Sequence, residues 1–242
     1  MEQIQSVVSC KKVAAFETQE TAGKKRKKAA LAVREGYCVT FNTGLSVYFS
    51  SDEVAEYYFY EEAPLKHPFD TVMTRILFRR ILTAVLPFVV FTKRTEMQVR
   101  RRVAELELGE IEPVWAQYRE GATLLLMTYL KGEQYVDDER YVQSFLRSHT
   151  QKPTSKRSLS AELSKRGIAQ GLIDAALADV EIDEAEGARV LFQKKFPEAA
   201  RGRGVLSQKE RAKIYRYLAG KGFSGETIRK VTQGFGEEDE VC

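Results

Sequence analysis

The stretch from Tyr135 to Leu177 constrains the fold of this chain most, because its apolar residues recur at the spacing of three short helices in succession. The inward positions are Tyr141, Val142, Phe145 and Leu146 in the first helix, Leu159 and Leu163 in the second, and Leu172, Ile173, Ala176 and Leu177 in the third. Helices of this length are unstable alone in water. We therefore expect them to bury their apolar stripes against one another or against neighbouring helices.

The ends of these helices are also marked in the sequence. Asp137, Asp138 and Glu139 open the first helix, where negative charge suits the positive end of the helix dipole. Pro153 follows its end, and Gly167 ends the second helix, as glycine commonly does. Three adjacent acidic residues could instead suggest a metal or acid–base site, but consecutive residues point to different sides of a helix. We interpret them as helix caps.

The same three-helix pattern recurs before and after this stretch. Aligning Gly167 with Gly222 also places Leu159 on Ile214, Leu163 on Leu218, Ile173 on Ile228 and Ala176 on Val231. In the other direction, aligning Leu159 with Val99 places Leu163 on Val103. The segments VDDERYV and IDEAEGA match as well, since both are acidic at the start. Repeats of this size stack on their neighbours and mostly bind extended partners.

Residues before about position 68 have a different pattern. From Tyr37 to Ser50, apolar and polar residues alternate on both sides of a turn at Asn42–Gly44, which predicts a β-hairpin. The segments IQSVV and KKVAAFET are candidates for further short strands, and Ser51 or Asp52 can cap a short helix after the hairpin. His67-Pro68 marks the boundary after which the chain becomes helical.

The predicted fold class is therefore mainly α, with three tandem three-helix (helix-turn-helix-like) repeats in an elongated curved body, preceded by a small segment that contains a β-hairpin. The predicted divisions are a β-rich extension at residues 1–68, repeats at 69–134, 135–181 and 182–236, and an acidic tail at 237–242. Within the first repeat we predict a helix from Phe69 to Val90 that kinks or ends near Pro87.

Three finer predictions concern helix ends and buried faces. Capping boxes are predicted at Thr95 with Gln98 and at Ser207 with Glu210. A long helix is predicted from Val114 to Leu130, with Leu124, Leu125, Met127 and Leu130 buried. Five consecutive basic residues at 24–28 are typical of a solvated loop, with a phosphate contact as the alternative.

Charge and cysteine content narrow the class of protein. The net charge of +4 permits an acidic partner such as DNA but falls below the strongly basic signature of a dedicated nucleic-acid binder. Cys10, Cys38 and Cys242 form no CxxC pair, which supports neither a disulfide framework nor a zinc site. We see no signal segment at the N-terminus, and the most apolar run, Ile81 to Phe91, is too short to span a bilayer. We expect a cytoplasmic protein.

The sequence offers little that resembles catalytic chemistry. His67 and His149 are far apart and have no matched ligands, so exposed or loop histidines are the expectation. We find no GxxxxGK phosphate loop and no serine or cysteine nucleophile in a known context. We therefore predict that the protein is not an enzyme and needs no cofactor or metal.

A set of short motifs in a fixed order resembles the RecX family, whose members regulate the RecA recombinase. The motifs are Tyr135-Val136-Asp137-Asp138, Arg140-Tyr141 and, about twenty residues on, Glu162-Leu163-Ser164-Lys165-Arg166-Gly167-Ile168. The segment from Thr95 to Arg102 resembles the second helix of the family's first repeat, and the hairpin resembles the N-terminal extension of Gram-positive-type members. The resemblance is good from about residue 92 to 235, weaker from 37 to 91, and absent before that.

The resemblance implies a three-repeat helical protein that binds the RecA–DNA filament, along its helical groove. Family members usually restrain filament growth, and with it the recombinase, ATPase and coprotease activity of RecA in recombination and the SOS response. The implied partners are the RecA filament and, within or beside it, single- or double-stranded DNA. We expect a monomer that does not associate with membranes.

Basic residues that are equivalent under the repeat are the candidate partner-binding positions. The pairs are Lys156 with Arg211, Arg166 with Lys221, and Arg101 with Arg216. Stacked repeats would carry such residues as a basic stripe, which could bind an acidic filament surface or DNA phosphates. A solvated polar face is the simpler interpretation, and it leaves the protein as a plain structural scaffold.

A direct DNA-binding regulator is the main alternative, because residues 160–177 can be read as a helix-turn-helix with Gly167 in the turn. Such a motif needs groove-reading residues near the start of its recognition helix. That helix begins Ala169-Gln170-Gly171-Leu172 and is mostly apolar, and its equivalent in the last repeat carries Glu226. Both details disfavour sequence-specific recognition of DNA.

Overall fold

A computed structural model describes residues 3–13, 36–107, 112–201 and 207–233. The chain divides into two compact units, residues 1–136 and 137–242. The basic run at 24–28, residues 14–18 of the KKVAAFET segment and the acidic tail at 237–242 were singled out in the sequence but lie outside the described residues.

The first unit begins with a small antiparallel sheet of order β1-β2-β3. Its strands are β1 (Val7–Val13), β2 (Gly36–Phe41) and β3 (Ser46–Phe49). The predicted hairpin is confirmed as β2 and β3, with Gly44 in the turn at a φ of +80°. The strand β1 pairs with β2 and lies where IQSVV and the start of KKVAAFET suggested a strand.

A short helix, α1 (Ser51–Tyr57), follows the sheet. Its cap is Ser50, one residue before the predicted Ser51 or Asp52. The Ser50 hydroxyl accepts a hydrogen bond from the Glu53 backbone N–H, and the Glu53 carboxylate accepts one from the Ser50 N–H. This reciprocal pair is a capping box, which needs a glutamate or glutamine three residues after the cap, and Ser50 is the residue three positions before Glu53.

Four helices complete the first unit, namely α2 (Phe69–Val90), α3 (Glu96–Ala104), α4 (Glu112–Ala116) and α5 (Arg119–Gly132). The predicted span of α2 is confirmed, and Pro87 lies in its last turn. The capping box at Thr95 and Gln98 is confirmed as the start of α3. Sheet and helices share one hydrophobic core, in which Phe49 meets the Trp115 ring edge to face at 6.1 Å.

The long helix predicted from Val114 to Leu130 is wrong in two respects. The helix is interrupted between α4 and α5, at Gln117 and Tyr118. The Tyr118 hydroxyl there donates a hydrogen bond to Asp70 Oδ1 at 2.8 Å. After this break the buried face of α5 consists of Ala122, Leu126, Met127 and Leu130, whereas Leu124 and Leu125 are 63% and 41% exposed. The inward face of α5 therefore follows Ala122, Leu126, Met127 and Leu130, and Leu124 and Leu125 lie outside it.

The second unit contains two successive groups of helices. Repeat 2 consists of α6 (Asp138–His149), α7 (Lys156–Lys165) and α8 (Gln170–Ala178), and repeat 3 of α9 (Glu184–Lys195), α10 (Pro197–Ala200), α11 (Gln208–Gly220) and α12 (Gly225–Thr232). Each repeat has its own hydrophobic core. The fold class is thus mainly helical, with three-helix units and a small N-terminal sheet, as predicted.

Local signals in the second unit agree with the sequence. Asp137 caps α6, and Ser207 with Glu210 forms the predicted capping box of α11. Gly167 and Gly222 adopt φ values of +81° and +87°, the left-handed conformation that a glycine after a helix allows. His149, expected in a loop or exposed, is the last residue of α6 and is half-buried, with its ring stacked on Phe145 at 3.9 Å.

The apolar run from Ile81 to Phe91 forms the second half of helix α2 and its C-cap. Among the described residues, no helix is both long enough and apolar enough to cross a membrane.

Candidate partner-binding surface

Small and charged residues form the contact where repeat 2 meets repeat 3, and this contact includes the candidate residue Lys156. We call this contact the repeat 2–3 junction and define it by Ser155, Lys156, Glu184, Gly187 and Gly222. The Ser155 side chain is fully buried, and its hydroxyl donates to the Lys221 carbonyl oxygen at 3.0 Å while it accepts from the Ser158 N–H. Ser155, the N-cap of α7, therefore also binds the end of α11.

Two glycines allow the backbones to approach at this junction. A Cβ atom on Gly222 would lie 2.5 Å from the Ser155 Oγ, and one on Gly187 would lie 3.3 Å from the Thr154 carbonyl oxygen. Glu184 contributes from repeat 3, since its Oε1 accepts a hydrogen bond from the Lys156 backbone N–H at 2.9 Å. The junction thus consists mainly of hydrogen bonds and close backbone contacts between two separately filled cores.

Lys156 and Arg166, two of the six candidate residues, make contacts within repeat 2. The Lys156 ammonium donates to the Leu177 carbonyl oxygen at 2.9 Å, near the end of α8. The Arg166 guanidinium lies over the Phe145 ring, donates to the Tyr141 hydroxyl and pairs with Glu162. Both residues are half-buried. Their charged groups therefore bond to other residues of repeat 2.

The other four candidates are exposed. Arg101 lies on α3 in the first unit, and Arg211, Arg216 and Lys221 lie on α11 or at its end. The Lys221 ammonium lies 6.0 Å from the centre of the Tyr217 ring, and the Arg216 Nε donates to the Ala212 carbonyl oxygen. Of the six residues, repeat 3 therefore has three exposed cations on one helix and its cap.

The alignment of the three repeats explains why repeat 3 has the most complete set of candidate basic residues. When the repeats are aligned as in the sequence, the three sets of equivalent positions are Glu96, Lys156 and Arg211; Arg101, Ala161 and Arg216; and Leu106, Arg166 and Lys221. Each set has one non-basic or acidic member outside repeat 3. Glu96 is bonded to Lys131 and Arg100, and the hydrogen bond from Lys131 lowers the pKa of its carboxyl.

Sequence reasoning missed two further exposed cations of α11. Lys209 and Lys213 are exposed on α11 and precede Arg216 by seven and three residues, so the three side chains share one face of the helix. Tyr215 is also exposed on α11. Helical spacing within α11 was the signal that could have revealed them, because equivalence between repeats selects only positions that are basic twice. We call the exposed cations of α11 and its C-cap, Lys209, Arg211, Lys213, Arg216 and Lys221, the α11 basic surface; Arg211 lies on another side of the helix from Lys209 and Lys213, because it is two residues from each.

The fold and this surface define a tandem three-helix-repeat protein with an exposed basic helix. Among the described residues, no group of three or more histidine, cysteine, aspartate or glutamate side chains could hold a metal ion. Residues 137–177 match the model of the second three-helix domain of RecX, and residues 182–232 match the model of its third three-helix domain. The chain belongs to the RecX family of regulatory proteins, as the comparison with whole relatives also shows.

Two relatives support this assignment, and one solved structure shares the fold. A protein of Pseudomonas fluorescens named Regulatory protein RecX is 30% identical over 162 residues, which span 65% of this chain and 100% of the relative. The Regulatory protein RecX of Serratia proteamaculans is 32% identical over 112 residues, 46% of this chain and 64% of the relative. A crystal structure of regulatory protein RecX covers 81% of this chain and 93% of its own at a TM-score of 0.56 and 19% identity, and so supports the fold.

Proposed function

We propose that this protein binds RecA–DNA filaments and restrains their recombinase, ATPase and coprotease activity. The observation that carries the proposal is membership of the RecX family. A family member that is 30% identical to this chain is matched over its whole length. A regulator of this kind acts by binding and needs no catalytic group or cofactor. We further propose that it acts in the cytoplasm as a monomer, where the filament is its partner.

The α11 basic surface is the proposed contact for the filament. Its cations are exposed, and within the first turn of α11 only Glu210 opposes them, where it is held by the hydroxyl and N–H of Ser207. DNA phosphates and acidic protein side chains both attract such a surface, and the attraction weakens as salt rises. We assign a smaller direct role to Lys156 and Arg166, because their side chains are bonded within repeat 2.

A charge reversal on this surface tests the proposal. Arg211→Glu with Arg216→Glu should keep the fold, since both positions are exposed, and should weaken binding to RecA filaments on single-stranded DNA at least about tenfold, a loss of about 1.4 kcal/mol. Binding can be followed by fluorescence anisotropy of the labelled protein at several salt concentrations. The matched control is Lys194→Glu with Lys195→Glu, which changes the net charge equally on the last turn of α9.

The control separates the effect of where the charges lie from the effect of the net charge of the protein. Filament binding that falls equally in both double variants would assign the effect to net charge and would remove the α11 basic surface from the proposal. Wild-type affinity in the folded Arg211→Glu, Arg216→Glu protein would remove it as well.

A direct DNA-binding regulator is the second candidate function, favoured by the helix-turn-helix arrangement of α7 and α8. The start of α8 argues against it. Gln170 bonds to Asp174 on its own helix, and Ile173 and Leu177 are buried, which leaves few groups for base recognition.

A further inference from the structure

An open apolar groove lies between α6 and α8 in repeat 2. Its volume is about 450 Å³, within the range of sites that bind small ligands or single anchoring side chains. Val142 and Leu146 form the wall on α6, and Leu172 and Ala176 on α8 form the opposite wall with Val180, which follows that helix. Val142 and Leu146 are buried, so the apolar surface that the groove presents comes from the half-buried Leu172, Ala176 and Val180.

Repeat 3 provides an internal comparison for this groove, because α6 and α9 match from end to end. Both helices have 12 residues, and both begin after an aspartate, Asp137 or Asp183, whose side chain accepts a hydrogen bond from the third helical N–H. Aligning these two aspartates therefore relates α6 to α9, and aligning Gly167 with Gly222 relates α8 to α12. Equivalent positions in the two repeats can be compared directly.

In these alignments, three of the groove positions carry larger side chains in repeat 3, whereas Val142 and Leu172 correspond to the smaller Ala188 and Thr227. Leu146 corresponds to Phe192, which is fully buried, and Ala176 corresponds to Val231, which is 5% exposed. Phe196, in place of the groove residue Thr150, packs on Phe192 with 6.2 Å between ring centres. Phe196 also packs on Tyr217 of α11, so repeat 3 places two phenyl rings at the end of α9, at positions where repeat 2 has Leu146 and Thr150.

The rim of the groove carries more negative than positive charge. Glu139 and Asp179 lie on the rim with a single cation, Arg147. Within the part of the chain that the structure describes, neither Glu139 nor Asp179 forms an ion pair. Two acidic groups disfavour a phosphate backbone beside the groove, and they favour a partner side chain with positive charge.

We propose that the groove binds a protein segment in which a phenylalanine side chain lies next to a basic residue. The ring enters between Leu146 and Ala176, and the basic group meets Glu139 or Asp179. This inference rests on the proposed function for the identity of the partner, which is the protein component of the filament. Repeat 2 and repeat 3 then bind different chemistry, since one receives an apolar anchor and the other an acidic surface.

Two variants test the groove in filament binding. Leu146→Phe with Ala176→Val introduces the residues that repeat 3 already accommodates, and Glu139→Lys with Asp179→Lys reverses the rim without touching the core. Each should weaken filament binding at least about tenfold. The control, Asp174→Lys with Glu181→Lys, makes the same charge change at exposed positions that do not line the groove, and should bind as the wild type does. Rim variants that fold and bind normally would overturn the proposal.

A peptide experiment tests the groove independently of the filament. The probes are acetyl-Arg-Phe-Arg-amide and acetyl-Arg-Ala-Arg-amide at about millimolar concentration, the range for a single anchor, with the intact protein carrying labelled methyl groups. We expect the first peptide alone to shift the methyl resonances of Val142, Leu146, Leu172 and Val180. Equal shifts with both peptides, or none with either, would overturn the inference.

Failure of the groove and failure of the proposed function are distinguishable. A wild-type protein that does not bind the filament but binds the phenylalanine peptide refutes filament binding and supports the groove. A groove variant that changes the sedimentation of the protein alone would identify a second copy as the occupant, and would overturn the assignment to a filament segment.

Discussion

At the scale of single residues, the repeat 2–3 junction depends on Gly222 for two separate reasons. Its φ of +87° lies in the region that side chains other than glycine rarely adopt, and a Cβ atom there would lie 2.5 Å from the buried Ser155 hydroxyl. A side chain would therefore strain the turn between α11 and α12 and displace the hydrogen bond from Ser155 to the Lys221 carbonyl.

We predict that Gly222→Ala destabilises the second unit by about 2 kcal/mol or more, from the left-handed backbone and the displaced hydrogen bond together. Urea unfolding measured by circular dichroism gives the value. Gly220→Ala is the matched control, because it lies at the end of α11 with nothing near its Cβ, and should leave stability unchanged or raise it by up to about 1 kcal/mol. A Gly222→Ala protein as stable as the control would contradict this account of the junction.

At the scale of helices, Glu96 pairs with two cations in the first unit. Its carboxylate lies in the first turn of α3 and pairs with Arg100 one turn later and with Lys131 in the last turn of α5. The hydrogen bond from Lys131 lowers the pKa of Glu96 below its ordinary value of 4.5, although partial burial acts in the opposite direction. The pair therefore links α3 to α5.

This shift sets the direction of a pH effect. A carboxyl with a depressed pKa in the folded state stabilises the fold above its unfolded pKa, and this contribution is lost as pH falls through the folded pKa. We predict that Glu96→Gln lowers stability at pH 7 by up to about 1 kcal/mol, because the pair is partly exposed, and that the difference from wild type shrinks below about pH 4. Urea unfolding at both pH values measures it. A difference independent of pH would mean that packing, and not charge, is lost.

Helix ends and turn glycines could be predicted from the sequence because their signals are local. Capping boxes at Thr95 and Ser207 and left-handed glycines at 167 and 222 need only neighbouring residues to form. The buried face of α5 could not be predicted, since it depends on the break at Tyr118 and on the contact with Asp70, 48 residues earlier.

The candidate site was less predictable than the fold for the same reason. Equivalence between repeats selected Lys156 and Arg166, but whether a cation points outward depends on carbonyl and aromatic partners that lie distant in sequence. Lys156 finds the end of α8, and Arg166 finds Phe145 and Tyr141. Their roles on the proposed surface stay predictions, as do those of the exposed residues.

At the scale of the whole molecule, the proposed function predicts an effect on RecA at low ratios of this protein to RecA. RecA ATPase activity on single-stranded DNA should fall when the protein is added substoichiometrically, because a bound regulator that blocks filament growth affects many RecA subunits. A DNA-binding titration without RecA is the companion measurement. Unchanged ATPase together with tight binding to DNA alone would favour the direct DNA-binding regulator.

The separate cores of repeats 2 and 3 also bear on how such a chain can evolve. Each interior is completed by residues of its own repeat, and the contact between them requires little more than a serine, a glutamate and two glycines. A duplicated or exchanged unit that keeps those few residues would join its neighbour without repacking either interior. The different sizes of Leu146 and Phe192 show that the two interiors of this chain already differ at an equivalent position.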